Sequence, residues 1–119
     1  MTDPRRALGA RGEDVAAAWY EQHGYVVLDR NWRVREGELD LVVRHGRTTV
    51  FCEVKTRRGD AFGTPFEAVT PTKQRRLRVL AARWLAERGR YAGPVRFDVA
   101  AVRVTGDGGA EIEVRRDAF

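Results

Sequence analysis

Hydrophobic side chains recur with a helical period in two stretches of the chain. The first stretch, about Arg5 to His23, has one apolar stripe, and Gly24 follows as a left-handed stop. The second opens with Thr70 as N-cap and Pro71 in the first turn, and Gly89 ends it. Four arginines lie opposite its apolar stripe: Arg75, Arg76, Arg78 and Arg83. The pattern therefore predicts two helices, the second amphipathic with a basic outer face.

Five shorter segments have the alternation and the β-branched or aromatic content of strands. They are Tyr25 to Leu28, Glu38 to Val43, Thr48 to Lys55, Val95 to Val104 and Glu111 to Arg115. A tight turn at His45 and Gly46 predicts an antiparallel hairpin of the second and third strands. The second helix can form a right-handed crossover, which makes the third and fourth strands parallel neighbours. The predicted fold is α/β, a mixed sheet with packed helices in the order α-β-β-β-α-β-β.

The segment from Thr56 to Val69 has no hydrophobic period and contains two glycines and a proline. It is therefore predicted to be a long loop, a kind of segment that is often functional in small domains.

Alternation along the hairpin predicts which side chains share a face of the sheet. Burying the apolar set puts six residues on one face: Leu39, Leu41, Val43, Val50, Cys52 and Val54. The other face then carries Glu38, Asp40, Phe51, Glu53 and Lys55. Asp40 is expected opposite or diagonal to Glu53, with Lys55 two residues along. Two carboxylates and an ammonium should therefore converge.

Carboxylate oxygens are the ligands that Mg²⁺ prefers, and such a site suits phosphodiester hydrolysis. A nearby lysine can orient the attacking water or balance developing negative charge. The spacing alone also fits a simpler interpretation, an exposed cross-strand salt bridge of Lys55 with Glu53 or Asp40.

Composition narrows the class of protein. The chain has 119 residues, of which 43% are hydrophobic and 33% charged, as expected of one globular domain spanning residues 1–119. One cysteine and two histidines argue against disulfides or a zinc cluster. No signal-peptide or membrane-spanning pattern occurs, so a cytoplasmic protein without a membrane partner is expected. The net charge of +5 favours an acidic partner such as nucleic acid.

The segments Gly37-Glu38-Leu39-Asp40-Leu41-Val42 and Phe51-Cys52-Glu53-Val54-Lys55-Thr56-Arg57 occur with Gly12-Glu13 upstream and a Lys73-containing helix downstream. In order and spacing, from about Leu8 to Val99, this set resembles the YraN family of small bacterial proteins. That family consists of predicted endonucleases of the PD-(D/E)xK superfamily, similar to archaeal Holliday junction resolvases. The resemblance implies a restriction-endonuclease-like mixed sheet flanked by helices.

The resemblance also implies roles for individual residues. Asp40 matches the motif aspartate, Glu53 and Lys55 match the E-x-K, and Glu13 matches the acidic residue of the first helix. Glu13, Asp40 and Glu53 would then bind Mg²⁺ or Mn²⁺, with Lys55 as the fourth catalytic residue. Leu39 precedes Asp40 where the motif name has proline, a common departure in the superfamily. Glu38 shares the face of Asp40 and is a candidate for a supporting role.

The implied substrate is DNA, with branched or junction DNA as the form that the resolvase likeness suggests. Contacts are expected from Arg57 and Arg58 in the loop, and from Lys73, Arg75 and Arg76 at the start of the second helix. A homodimer would supply two sites for two strands. Two alternatives stay open: a non-catalytic nucleic-acid-binding protein on a nuclease fold, and an interaction protein whose acidic patch pairs with arginine.

Overall fold

The computed structural model describes residues 3–59, 66, 69–89 and 93–119. The described elements follow the predicted order α-β-β-β-α-β-β. They are α1 (Pro4–Gln22), β1 (Val26–Val34), β2 (Gly37–His45), β3 (Thr48–Arg58), α2 (Pro71–Arg88), β4 (Val95–Val104) and β5 (Ala110–Arg115).

Both helices begin at side-chain caps followed by proline. The carboxylate of Asp3 accepts a hydrogen bond from the backbone N–H of Arg5, and the hydroxyl of Thr70 accepts one from that of Lys73. The predicted stop at Gly89 is confirmed, because this residue caps α2 in the left-handed conformation, at φ 68°. Neither helix in the described ranges is long and apolar enough to cross a membrane.

The five strands form one mixed sheet in the order β1-β2-β3-β4-β5. As predicted, β2 and β3 form an antiparallel hairpin and β3 runs parallel to β4. The two helices pack on opposite faces. On α1's side the buried cluster includes Tyr20, Val50 and Cys52, and on α2's side it includes Phe51 and Trp84.

Trp84 fixes α2 against the sheet. It is 1% exposed, and its ring meets that of Phe51 edge to face at 5.7 Å. Its indole N–H donates to Asp29 at 3.0 Å, so the polar atom of the buried ring is satisfied from β1. This anchoring holds the second half of α2 against the sheet, and the buried side chains of Leu77 and Leu80 hold the first half in the same cluster.

The structure corrects four details of the sequence interpretation. The first strand is longer than predicted, because the polar residues after Leu28 lie on a sheet edge and pair with β2 up to Val34. The hairpin loop is Gly46 and Arg47, since His45 already pairs with Thr48. Leu39 packs in the cluster under α2, apart from Leu41 and Val43 on the other face.

The fourth correction concerns Arg57 and Arg58, which belong to β3 and not to a loop. They pair with Arg103 and Val104 of β4, so the backbone hydrogen bonding of β3 continues to its polar end. Of the predicted loop, residues 60–65, 67 and 68 lie outside the described residues.

Candidate active site

The candidate site lies where β2 and β3 stop pairing. The ladder between these strands ends at Leu41 opposite Cys52, and at the next position of each strand the side chains of Asp40 and Glu53 are hydrogen-bonded to each other. Beyond this point the backbone N–H of Val54 donates to the Asp40 carboxylate at 2.9 Å. The side chain of Asp40 thus satisfies a backbone N–H that has no partner in the β2–β3 ladder. Both carboxylates are buried, each 8% exposed.

Two lysines approach the same oxygen of Glu53. The ammonium of Lys73, from the first turn of α2, lies 3.3 Å from Oε1 of Glu53, and that of Lys55 lies 3.9 Å from it. Lys55 reaches this atom because residues two apart on a strand share a face. The structure therefore brings Asp40, Glu53 and Lys55 together, as the alternation predicts, and adds Lys73.

Electrostatics at the site reflect burial and crowding of charge. Burial raises the pKa of Asp40 to about 8, and the charge of Glu53 and a hydrogen bond with it act in the same direction. Burial and the hydrogen bond with Lys73 lower the pKa of Lys55. Burial also opposes the charged form of Lys73, but its bonds to Lys55 and Glu53 outweigh this and raise its pKa.

Glu13 approaches from the other helix. Gly12 lies directly against the side chain of Thr56, leaving no room for a Cβ, so α1 passes close to β3 beside the site. Glu13 is partly buried and hydrogen-bonded to Asn31. Burial raises its pKa, and its charge in turn contributes to the raised pKa of Asp40.

Glu13 does not complete a three-carboxylate site in this arrangement. Across the residues that the structure describes, no three Asp, Glu, His or Cys side chains are grouped closely enough to hold one metal ion. The predicted supporting residue, Glu38, pairs with Arg33 at 2.9 Å. The described carboxylates that meet are thus Asp40 and Glu53.

The residues predicted to contact DNA differ in their exposure and in the direction of their charged groups. Arg75 and Arg76 are exposed on α2, and Arg75 donates to the hydroxyl of Thr72 at 3.2 Å. Arg58 is exposed at the end of β3, whereas Arg57 is partly buried. Lys73 instead points its ammonium at Glu53.

The sequence interpretation missed a buried network on the opposite face. Asp98 is fully buried and is bound by Arg96, by the hydroxyl of Tyr20 and by the backbone N–H of Asp117. Arg96 also donates to the hydroxyl of Tyr25. The available signal was the alternation of Arg96 and Asp98 with apolar residues along β4.

The donor chemistry of the site fits a hard divalent cation. Asp40 and Glu53 offer carboxylate oxygens in a buried position, where the charge of Glu53 opposes ionisation of Asp40. A divalent cation would relieve that repulsion, and Mg²⁺ is commonly held by one or two carboxylates together with waters and phosphate oxygens.

Comparison with known proteins places the chain in a family. The model of the uncharacterised protein family UPF0102 matches residues 12–102. A UPF0102 protein of Beutenbergia cavernae is 58% identical over 107 residues, which cover 90% of this chain and 91% of that protein. One from Rhodococcus opacus is 53% identical over 113 residues, covering 95% and 96%. The chain belongs to the UPF0102 (YraN) family, which confirms the resemblance of its motifs.

Proposed function

We propose that this protein is a metal-dependent endonuclease that hydrolyses phosphodiester bonds in DNA. One observation carries the proposal: Asp40 and Glu53 lie buried side by side where β2 and β3 separate, and the ammonium of Lys55 is directed at the carboxylate of Glu53. An exposed cross-strand salt bridge, the simpler interpretation, does not account for two carboxylates that are each 8% exposed.

Asp40 and Glu53 would hold Mg²⁺ or Mn²⁺, which when bound supplies a Lewis acid and a water of lowered pKa. Asp40 is oriented for this by the N–H of Val54, which fixes its Oδ2. Lys55 is 26% exposed in its side chain, so it can face both Glu53 and a substrate. This placement suits a group that orients the attacking water or balances developing negative charge.

The DNA would lie across the start of α2 and the end of β3. Arg75 and Arg76 are exposed there, and neither forms an ion pair with a carboxylate of the described residues. Backbone N–H groups at the start of a helix favour a phosphate, and arginines add charge-assisted contacts. Arg58 extends this basic surface.

The test is cleavage of labelled linear, flapped and four-way DNA by purified protein with Mg²⁺, Mn²⁺ or a chelator. We expect metal-dependent cutting by the wild type and none by Asp40→Asn. Glu36→Gln, which removes one carboxylate that pairs with Arg83 away from the site, is the matched control. Absence of cutting on every substrate, or equal cutting by wild type and Asp40→Asn, would refute the proposal.

The second candidate function is non-catalytic binding of nucleic acid. It is favoured by the lack of a third carboxylate within metal reach among the described residues. Wild-type protein that binds DNA with the same affinity with and without metal, and cuts none of the substrates, would support it.

A further inference from the structure

Lys73 occupies a position that its helix does not favour. It is the third residue of α2, directly inside the Thr70 cap, where the helix dipole favours an anion. Its side chain is 33% exposed, so the ammonium is also partly withdrawn from water. A cation placed there needs a compensating anion, and Glu53 is that anion at 3.3 Å.

The contact with Glu53 is closer than that of the motif lysine. Lys55 lies 3.9 Å from the same Oε1, and Lys73 also interacts with Lys55. One carboxylate oxygen therefore faces two ammonium groups, with Lys73 the nearer. A divalent cation on Glu53 would meet that ammonium at short range, where two positive charges repel strongly.

We propose that Lys73 is the resident counter-ion of Glu53 and that a divalent metal binds this carboxylate only by displacing the Lys73 ammonium. The inference rests on the proposed function, because it concerns the same metal site. Once displaced, the ammonium lies in the first turn of α2, among backbone N–H groups that favour phosphate. Lys73 is then a positioning residue, which neutralises Glu53 before metal binds and faces the substrate phosphate afterwards.

A merely structural role for Lys73 predicts a different result. If the ion pair only held α2 against the sheet, its removal would lower stability and leave metal affinity unchanged or weaker. A competing counter-ion predicts lower stability without metal together with tighter metal binding. The sign of the change in metal affinity therefore separates the two roles.

The experiment measures Mn²⁺ binding by isothermal titration calorimetry at low ionic strength, without DNA. We expect Lys73→Met to bind Mn²⁺ at least about threefold more tightly than wild type, since a competing charge is gone. Lys73→Arg should stay close to wild type. Arg83→Met, which removes one positive charge about 15 Å further along α2, controls for net charge. Lys73→Gln serves as the second neutral variant if Lys73→Met does not fold.

The outcomes distinguish this inference from the proposed function. Tighter Mn²⁺ binding by the neutral variants, with Arg83→Met unchanged, supports it. Equal or weaker binding by the neutral variants overturns it while leaving the metal site intact. If neither wild type nor the neutral variants bind Mn²⁺, the proposed function fails and this inference fails with it.

Discussion

The sheet carries two buried acidic centres on opposite faces of the same region, and they are built differently. Asp98 of β4 pairs with Cys52 of β3, and one residue further along both strands Val99 pairs with Glu53. Asp98 receives two guanidinium bonds from Arg96 at 2.8 and 2.9 Å, the hydroxyl of Tyr20 at 2.7 Å and a backbone N–H at 3.0 Å. Its charge is fully satisfied within the protein.

Asp40 and Glu53 are less well compensated. Asp40 accepts one backbone N–H, and Glu53 faces ammonium groups at 3.3 and 3.9 Å. The two carboxylates also face each other, which is part of why the pKa of Asp40 is raised. The comparison teaches that a buried acid serving the fold is saturated with donors, whereas a pair with spare oxygen lone pairs has capacity for a ligand.

The largest expected effect breaks the saturated centre. Asp98→Asn leaves Arg96 without its anion, and we expect a loss of about 3 kcal/mol in the free energy of unfolding. Asp40→Asn should cause no such loss, because the amide oxygen of asparagine can still accept the N–H of Val54 and no paired charge is broken. Urea unfolding monitored by circular dichroism measures both. Equal destabilisation by the two variants would show that the two centres do not differ as described.

The next effect concerns catalysis at the unsaturated centre. Lys55→Ala should slow DNA cleavage by about a hundredfold while DNA affinity is retained, since the role proposed for this group is in the transition state. Single-turnover cleavage and fluorescence anisotropy measure the rate and the affinity separately. A loss of affinity that matches the loss of rate would instead make Lys55 a binding residue.

A smaller effect is the dependence of metal-free stability on pH. The pKa of Asp40 is raised to about 8 in the folded protein, so between about pH 4 and pH 8 the folded state binds more protons than the unfolded state. Stability should therefore fall as pH rises through this window, by on the order of 2 kcal/mol, and level off above it. Asp40→Asn should flatten the profile. A wild-type profile that rises over the same range in chelator would contradict the raised pKa.

The smallest effect separates binding from chemistry. The double variant Arg75→Ala and Arg76→Ala should weaken DNA affinity by about tenfold and reduce the slope of log affinity against log salt by about two. The cleavage rate at saturating protein should stay unchanged. An unaltered salt slope would mean that these arginines do not contact phosphate.

Local patterns predicted the elements and the core of the site because both depend on short periods in the sequence, a helical period for α1 and α2 and alternation for the strands. The period of two placed Asp40, Glu53 and Lys55 together, and the contacts of Glu53 with Asp40 and Lys55 confirm it. Leu39 departs from that period beyond the point where β2 stops pairing with β3, at Leu41, although it still pairs with Trp32 of β1. Such a departure depends on how β2 and β3 separate, which no short pattern records.

Other features depend on contacts between distant segments. Lys73 meets Glu53 because Leu77, Leu80 and Trp84 pack α2 on the sheet, and the two residues lie twenty positions apart in sequence. The network around Asp98 joins α1, β4 and the segment after β5. Helix and strand periods locate each partner on a face, but they do not predict which faces meet.

The close packing of Gly12 on Thr56 has a consequence for genetics. A substitution as small as Gly12→Ala would push α1 away from β3 and carry Glu13 with it, although Gly12 has no side chain to take part in any reaction. In a screen for loss of activity, substitutions of Gly12 would therefore be found together with substitutions of the acidic residues. A second-site change of Thr56 to glycine would restore the space, so the pair should appear as mutation and suppressor.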